Sequence, residues 1–143
     1  MTAKEWLSRG FWLKKEKEQL DRLRAETFTR LTKVTQTVNG DPVQGTKDPY
    51  KFDALVQLDV DIEEKQKALD KTRLEIFEAI QQLPDRRYRM VLLGRYYEGL
   101  SWEEIVPLLH YEIRQVYRLH GMALVAIEPI IRGLISKKKE TVV

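Results

Sequence analysis

Cysteine is absent from the 143 residues. That excludes disulfide staples and thiolate zinc sites, and it suits a reducing cytoplasm. Histidine is scarce: His110 and His120 are the only two. Neither has a cluster of carboxylates at ligand spacing, so no metal and no other cofactor is expected. The three serines, Ser8, Ser101 and Ser136, lie in no nucleophile-elbow context, and no Gly-rich phosphate loop is present. Glu63-Glu64 and Glu103-Glu104 are paired in sequence only, because adjacent helical residues point different ways. An enzyme is therefore not expected. No apolar run reads as long enough to cross a bilayer, and the opening MTAKEWLSRG lacks the unbroken apolar core of a signal peptide. The expected setting is the cytoplasm, without a membrane partner.

What is present is charge. The chain is 43% hydrophobic, 33% charged and 9% aromatic, a balance that fits long solvated helices better than a compact β-rich core. The length allows one domain, or a small domain with an elongated element. The net charge is +3 and unevenly placed. Residues 1–83 hold 15 Lys+Arg against 15 Asp+Glu, and residues 84–143 hold 10 against 7. Within 113–139 the count is 6 against 1. A basic end on a neutral remainder suggests contact with a polyanion there.

Two long helices are expected first. Trp6, Leu13, Leu20 and Val34 follow a seven-residue repeat with Thr27 at the missing step, while Leu23, Phe28, Leu31 and Val38 widen the same face. This predicts a helix over 3–38. Asn39 to Tyr50 (NGDPVQGTKDPY) breaks it, and Asn39-Gly40 suits a helix C-terminus. Leu55, Ile62, Leu69, Ile76 and Leu83 repeat without interruption, flanked by Phe52, Val56, Phe77 and Ile80, and predict a second helix over 51–83. Matching seams around a short breaker predict an antiparallel coiled-coil hairpin over 1–83, with its loop at 39–50. Its middle is thin, with Thr27, Lys65, Gln66 and Thr72 near the seam. Further packing is expected, on the C-terminal part or on a second chain.

Pro84-Asp85 starts a second domain over 84–135, in which three helices are expected. The first covers 86–97 and turns at Glu98-Gly99-Leu100. Ser101-Trp102-Glu103-Glu104 is a capping box that opens the second, and Pro107 should shorten or kink it. A helix start also suits phosphate, so Ser101 and Trp102 read either as cap and core or as cap with phosphate contact. His110-Tyr111-Glu112 is the next turn. The third helix runs over 113–127, with Val116, Leu119, Ala123, Leu124 and Ile127 buried and Arg114, Gln115, Tyr117, Arg118 and Met122 outward. That is the layout of a helix-turn-helix: a major groove admits one helix, Arg pairs with guanine, and Gln pairs with adenine. A solvated basic face is the alternative for the same residues. Residues 136–143 (SKKKETVV) read as a frayed basic tail, whose Lys137, Lys138 and Lys139 can attract phosphate.

Leu83-Pro84-Asp85, Arg87-Tyr88-Arg89, Leu92-Leu93, Arg95-Tyr96 and Glu98-Gly99 carry a resemblance, as do Ser101 to Ile105, Arg114, Val116, Arg118 to Gly121 and Ala123-Leu124. Residues 84–128 resemble region 4 of bacterial sigma factors. The whole chain resembles the phage and prophage sigma-like late-transcription regulators of the RinA/ArpU type. The resemblance implies a cytoplasmic regulator that binds double-stranded DNA at promoters together with host RNA polymerase. It places Arg114, Gln115 and Arg118 at base-reading positions and Ser101-Trp102 at a phosphate-facing helix start. Three positions depart from the pattern. His110 stands where the turn usually has Gly, Glu112 where the recognition helix usually opens with Ser or Thr, and Pro107 where small or charged residues are usual. Glu112 can accept from cytosine N4 or repel phosphate. A single helix-turn-helix buries little surface, so a homodimer or a polymerase partner is expected with it. The rival expectation is a protein-interaction module, in which the sigma-like part docks on polymerase or another regulator without reading DNA.

Overall fold

The computed structural model describes residues 1–34, 50 and 52–141. Among them the regular structure is all helical, as expected. The helices are α1 (Ala3–Leu7), α2 (Arg9–Val34), α3 (Asp53–Gln81), α4 (Arg86–Leu92), α5 (Trp102–Leu109) and α6 (Ile113–Thr141), with a π-helical turn at Leu93–Tyr97 after α4. The expected helix end at Asn39-Gly40, the loop through 49 and the seam residue Val38 lie outside the described residues.

The chain forms two compact units, one of residues 1–12 with 70–143 and the other of residues 13–69. The boundary expected at Leu83-Pro84 is therefore not where compactness divides the chain. The reason is a shared core. Trp6 and Leu7 of α1, Ile76, Ala79 and Ile80 of α3, Leu83, Leu92 of α4, and Ala123, Ile127 and Ile131 of α6 are buried together. Each large aliphatic side chain buried this fully contributes about 1.5–3 kcal/mol, which holds the start of the chain and the end of α3 to the C-terminal helices.

Local chemistry sets the ends of these elements. Thr2 and Glu5 form a reciprocal capping box on α1. The first helix, expected unbroken, is interrupted at Ser8. There the Ser8 hydroxyl donates to the Lys4 carbonyl at 2.6 Å and Arg9 Nε donates to the Trp6 carbonyl at 2.9 Å. Asp85 caps α4 by accepting from the Arg87 amide at 2.9 Å. Hydrogen bonds from the Arg87 side chain hold the Asp85 carboxyl below the usual range.

Helix α6 differs most from expectation. It was to end at Ile127 and leave a frayed tail from Ser136, but it continues through Pro129 to Thr141. Proline deprives the Val125 carbonyl of its helical donor, and Val125 is 72% exposed, so water can take the donor's place. The helix is also long and apolar enough to cross a membrane, judged by length and composition alone, which corrects the expectation that no stretch is. Part of that apolarity lies in the buried stripe of Val116, Leu119, Ala123, Ile127 and Ile131.

In the unit of residues 13–69, Thr27, Leu55 and Leu69 are buried, while Leu13, Leu20 and Ile62 are half-buried. Arg24 pairs with Asp59, and Glu16 with Lys65 at 2.6 Å. As the α2 position falls from 24 to 16 its α3 partner rises from 59 to 65, the order that antiparallel helices give. The residues expected to widen the seam do so poorly. Leu23, Phe28, Phe52, Val56 and Phe77 are exposed, and of the flanking set only Ile80 is buried.

Candidate nucleic-acid interface

Helix α5, its turn and the first half of α6 form the candidate site. Ser101 caps α5 as its spacing predicts. Its hydroxyl accepts from the Glu104 amide at 3.2 Å and donates to Glu104 Oε1 at 3.0 Å. That hydroxyl is thus already committed within the cap. Pro107 lies inside α5, which spans eight residues to Leu109 and has His110 as its C-cap. His110 has φ 57° and ψ 34°, the left-handed conformation in which glycine is free of strain. The departure from glycine noted in the sequence thus falls at the position where glycine would serve. Gly99 (φ 75°) makes the preceding turn.

Before that turn, the π-helical segment lets Gly94 approach α5. A Cβ at Gly94 would lie 3.4 Å from Ile105 Cγ1, an ordinary van der Waals contact. The Glu98 amide donates to the Leu93 carbonyl at 2.8 Å and the Leu100 amide to the Gly94 carbonyl at 2.9 Å.

Trp102 packs inward at the start of α5. Its ring meets His120 edge-on at 4.7 Å and Tyr117 at 5.3 Å, and the Arg95 guanidinium sits 4.6 Å over it. Tyr96 stacks on His120, with 2.7 Å between its hydroxyl and His120 Nε2. Burial, with the nearby charges of Lys4 and Arg95, pushes His120 down to about 4, and burial raises Tyr96. Both shifts keep the pair neutral, and the Tyr96 hydroxyl and His120 Nε2 share one hydrogen bond whose direction follows the imidazole tautomer. This cluster of Tyr96, His120, Trp102, Tyr117 and Arg95 joins the π turn, α5 and α6. No periodic pattern announces it, because its members come from three elements and His120 is polar.

The remaining candidate residues separate into two groups. Gln115 serves the start of α6, where its Oε1 accepts from the Glu112 amide at 3.1 Å; Glu112 itself is exposed. Arg114 and Arg118 are exposed and make no ion pair among the described residues. At 3.6 residues per turn, Arg114, Tyr117, Arg118, Gly121, Met122 and Val125 share one side of α6, opposite the buried stripe. All six are exposed. They cover about 16 Å of helix. A Cβ built at Gly121 would meet nothing within 4 Å, so no internal packing requires glycine there. Tyr88, Tyr117, Arg118, Met122, Val125 and Ala126 line a shallow groove along this side.

The lysines near the C-terminus are not equivalent. Lys138 pairs with Glu75 at 3.3 Å, and Arg9 pairs with the same carboxylate at 3.1 Å. Burial raises Glu75, but the hydrogen bonds and charges of Arg9 and Lys138 outweigh it and hold the group below the usual range. Lys137 and Lys139 are exposed. Among the described residues no group of His, Asp and Glu could hold a metal ion. Comparison with protein-family models, curated proteins and solved structures finds no significant match to this chain.

Proposed function

We propose that this protein is a sequence-specific double-stranded DNA-binding regulator of transcription of the phage sigma-like kind, with α5 and α6 as its helix-turn-helix and an antiparallel coiled-coil hairpin ahead of it. The first half of α6 lies in the major groove. The observation that carries the reading is the pair Arg114 and Arg118, one turn apart on the side of α6 facing away from the core and without carboxylate partners among the described residues. Arg reads guanine O6 and N7 through paired hydrogen bonds, each such pair contributing about 1–3 kcal/mol of base discrimination. Gly121 supports it further. Glycine inside a helix costs roughly 0.5–1 kcal/mol against alanine, and only a body outside the unit gains from the missing Cβ. In this reading Trp102 shapes the site from within and Gln115 sets the start of α6. The setting is the cytoplasm, with host RNA polymerase as the protein partner.

A second reading rests on the apolar half of the same side. Met122 and Val125 are 44% and 72% exposed, and Glu112 stands at the helix entrance. In that reading the side docks on RNA polymerase or another regulator and reads no DNA.

Gel shift on promoter fragments of the genome that encodes the chain, across a salt series, separates the two. Wild type should select one fragment against competitor DNA, and Arg114→Ala/Arg118→Ala should lose that preference. Equal, weak binding by both proteins, abolished by salt, would sink the DNA reading in favour of a polymerase partner.

A further inference from the structure

We propose that residues 13–69 bind a second copy of this chain through the face that carries Phe28, Val56 and Val60, with the α2 stretch of each copy lying on the α3 stretch of the other. This deepens the pairing expected of a DNA reader with one helix-turn-helix. It is measured without DNA, so either idea can fail alone.

The three side chains are 48%, 60% and 44% exposed, and they share a face. Phe28 lies one turn beyond Arg24 on α2. Val56 lies three residues before Asp59 on α3, and Val60 follows Val56 by one turn. The Arg24–Asp59 pair joins those two rows across the helices. Single exposed apolar residues need no explanation, but a cluster on one face does. The unit also lacks core: among its described residues only Thr27, Leu55 and Leu69 are buried. The burial of two leucines is small against the conformational entropy lost in ordering the backbone of the unit. A second layer of helices supplies the missing burial.

Charge selects the occupant and its orientation. Residues 13–33 of α2 hold seven Lys/Arg against four Asp/Glu, net +3, and residues 53–69 of α3 hold two against five, net −3. A two-fold axis parallel to the helices sets each α2 on the partner's α3, plus against minus. A two-fold axis across them sets α2 on α2 and α3 on α3, like against like. The neutral sum of these two stretches lets two copies approach, and their opposite signs favour the first arrangement.

Sedimentation of the full chain over a concentration series tests this. Wild type should be a dimer at tens of micromolar. Phe28→Glu and Val56→Glu should each weaken dimerisation at least tenfold, and Leu74→Glu, at an exposed site outside the unit, should leave it unchanged. Circular dichroism checks that helix is retained; should a glutamate variant unfold, Phe28→Gln and Val56→Ser carry the same comparison. The dissociation constant should rise with salt. A monomer at every concentration overturns the proposal, as does a dimer indifferent to both positions. A dimer that tightens with salt overturns the arrangement of α2 on α3.

Discussion

His110 and Gly121 are mismatched to their local backbones in opposite senses. A left-handed backbone costs a residue with a Cβ about 1–2 kcal/mol, and His110 adopts it with φ 57°. His110→Gly should therefore stabilise the fold by about 0.5–1 kcal/mol, less than the full strain because glycine loses more freedom on folding. Urea denaturation checks it, and a loss of stability would mean that the imidazole holds the turn. Gly121 sits in a helix that tolerates a methyl group without contact. Gly121→Ala should raise stability by about 0.5–1 kcal/mol and lower DNA affinity, two opposite changes that a bland surface position would not produce. The sequence made the place of His110 legible but not its conformation, since turn position follows from spacing whereas left-handed geometry depends on how α5 ends. Trp102 read either as core or as a phosphate contact, and Gln115 as a base reader, because a helical wheel shows which side a residue takes but not which side chain reaches back over it.

Helices whose boundaries rest on capping were the most legible elements. Ser101-x-x-Glu104 fixes the start of α5, and Thr2-x-x-Glu5 at the start of α1 follows the same pattern. Ser101→Ala should cost about 1 kcal/mol, read from the urea midpoint. Helix α6 was less legible. Pro129 and Gly133 look like breakers, yet both are exposed, where water can satisfy the backbone. The junction of α5 and α6 also predicts a pH response. The folded His120 lies at about 4, below its ordinary value near 6.5. The fold thus favours the neutral ring, and stability is full above about pH 6.5 and falls between there and about 4, as the unfolded chain takes up a proton that the folded chain does not. The ring is part-exposed, so after solvent screening the loss is on the order of 1 kcal/mol. Urea midpoints at pH 7 and pH 5 should differ accordingly in wild type, and His120→Gln should flatten the difference. An unchanged slope in that variant would place the acid sensitivity elsewhere.

Over the whole molecule, helical content was legible because seven-residue and helical periodicities run through most of the chain. The division into units was not. Compactness follows the core that Trp6, Leu7 and Ile76 share with Ala123, Ile127 and Ile131, and no local pattern announces contacts so distant in sequence. The same long-range packing changes what the C-terminal lysines can do. Lys138, though exposed, pairs with Glu75, which Arg9 also pairs with, while exposed Lys139 makes no ion pair among the described residues. The slope of log affinity against log salt counts phosphate contacts, shrinking by about one for each contact removed. If the end of α6 touches DNA, Lys139→Ala should reduce that slope by about one and leave Lys138→Ala near wild type, because an ammonium already neutralised by a carboxylate releases no further counterion from the duplex. Glu75→Gln then provides the decisive comparison. With the Glu75 charge removed the end of α6 becomes more positive, so the salt slope should steepen even as the fold loses the Arg9–Glu75–Lys138 link. If Glu75→Gln leaves the slope as it was, the end of α6 lies away from the duplex, and phosphate contact has to be sought nearer Arg114 and Arg118.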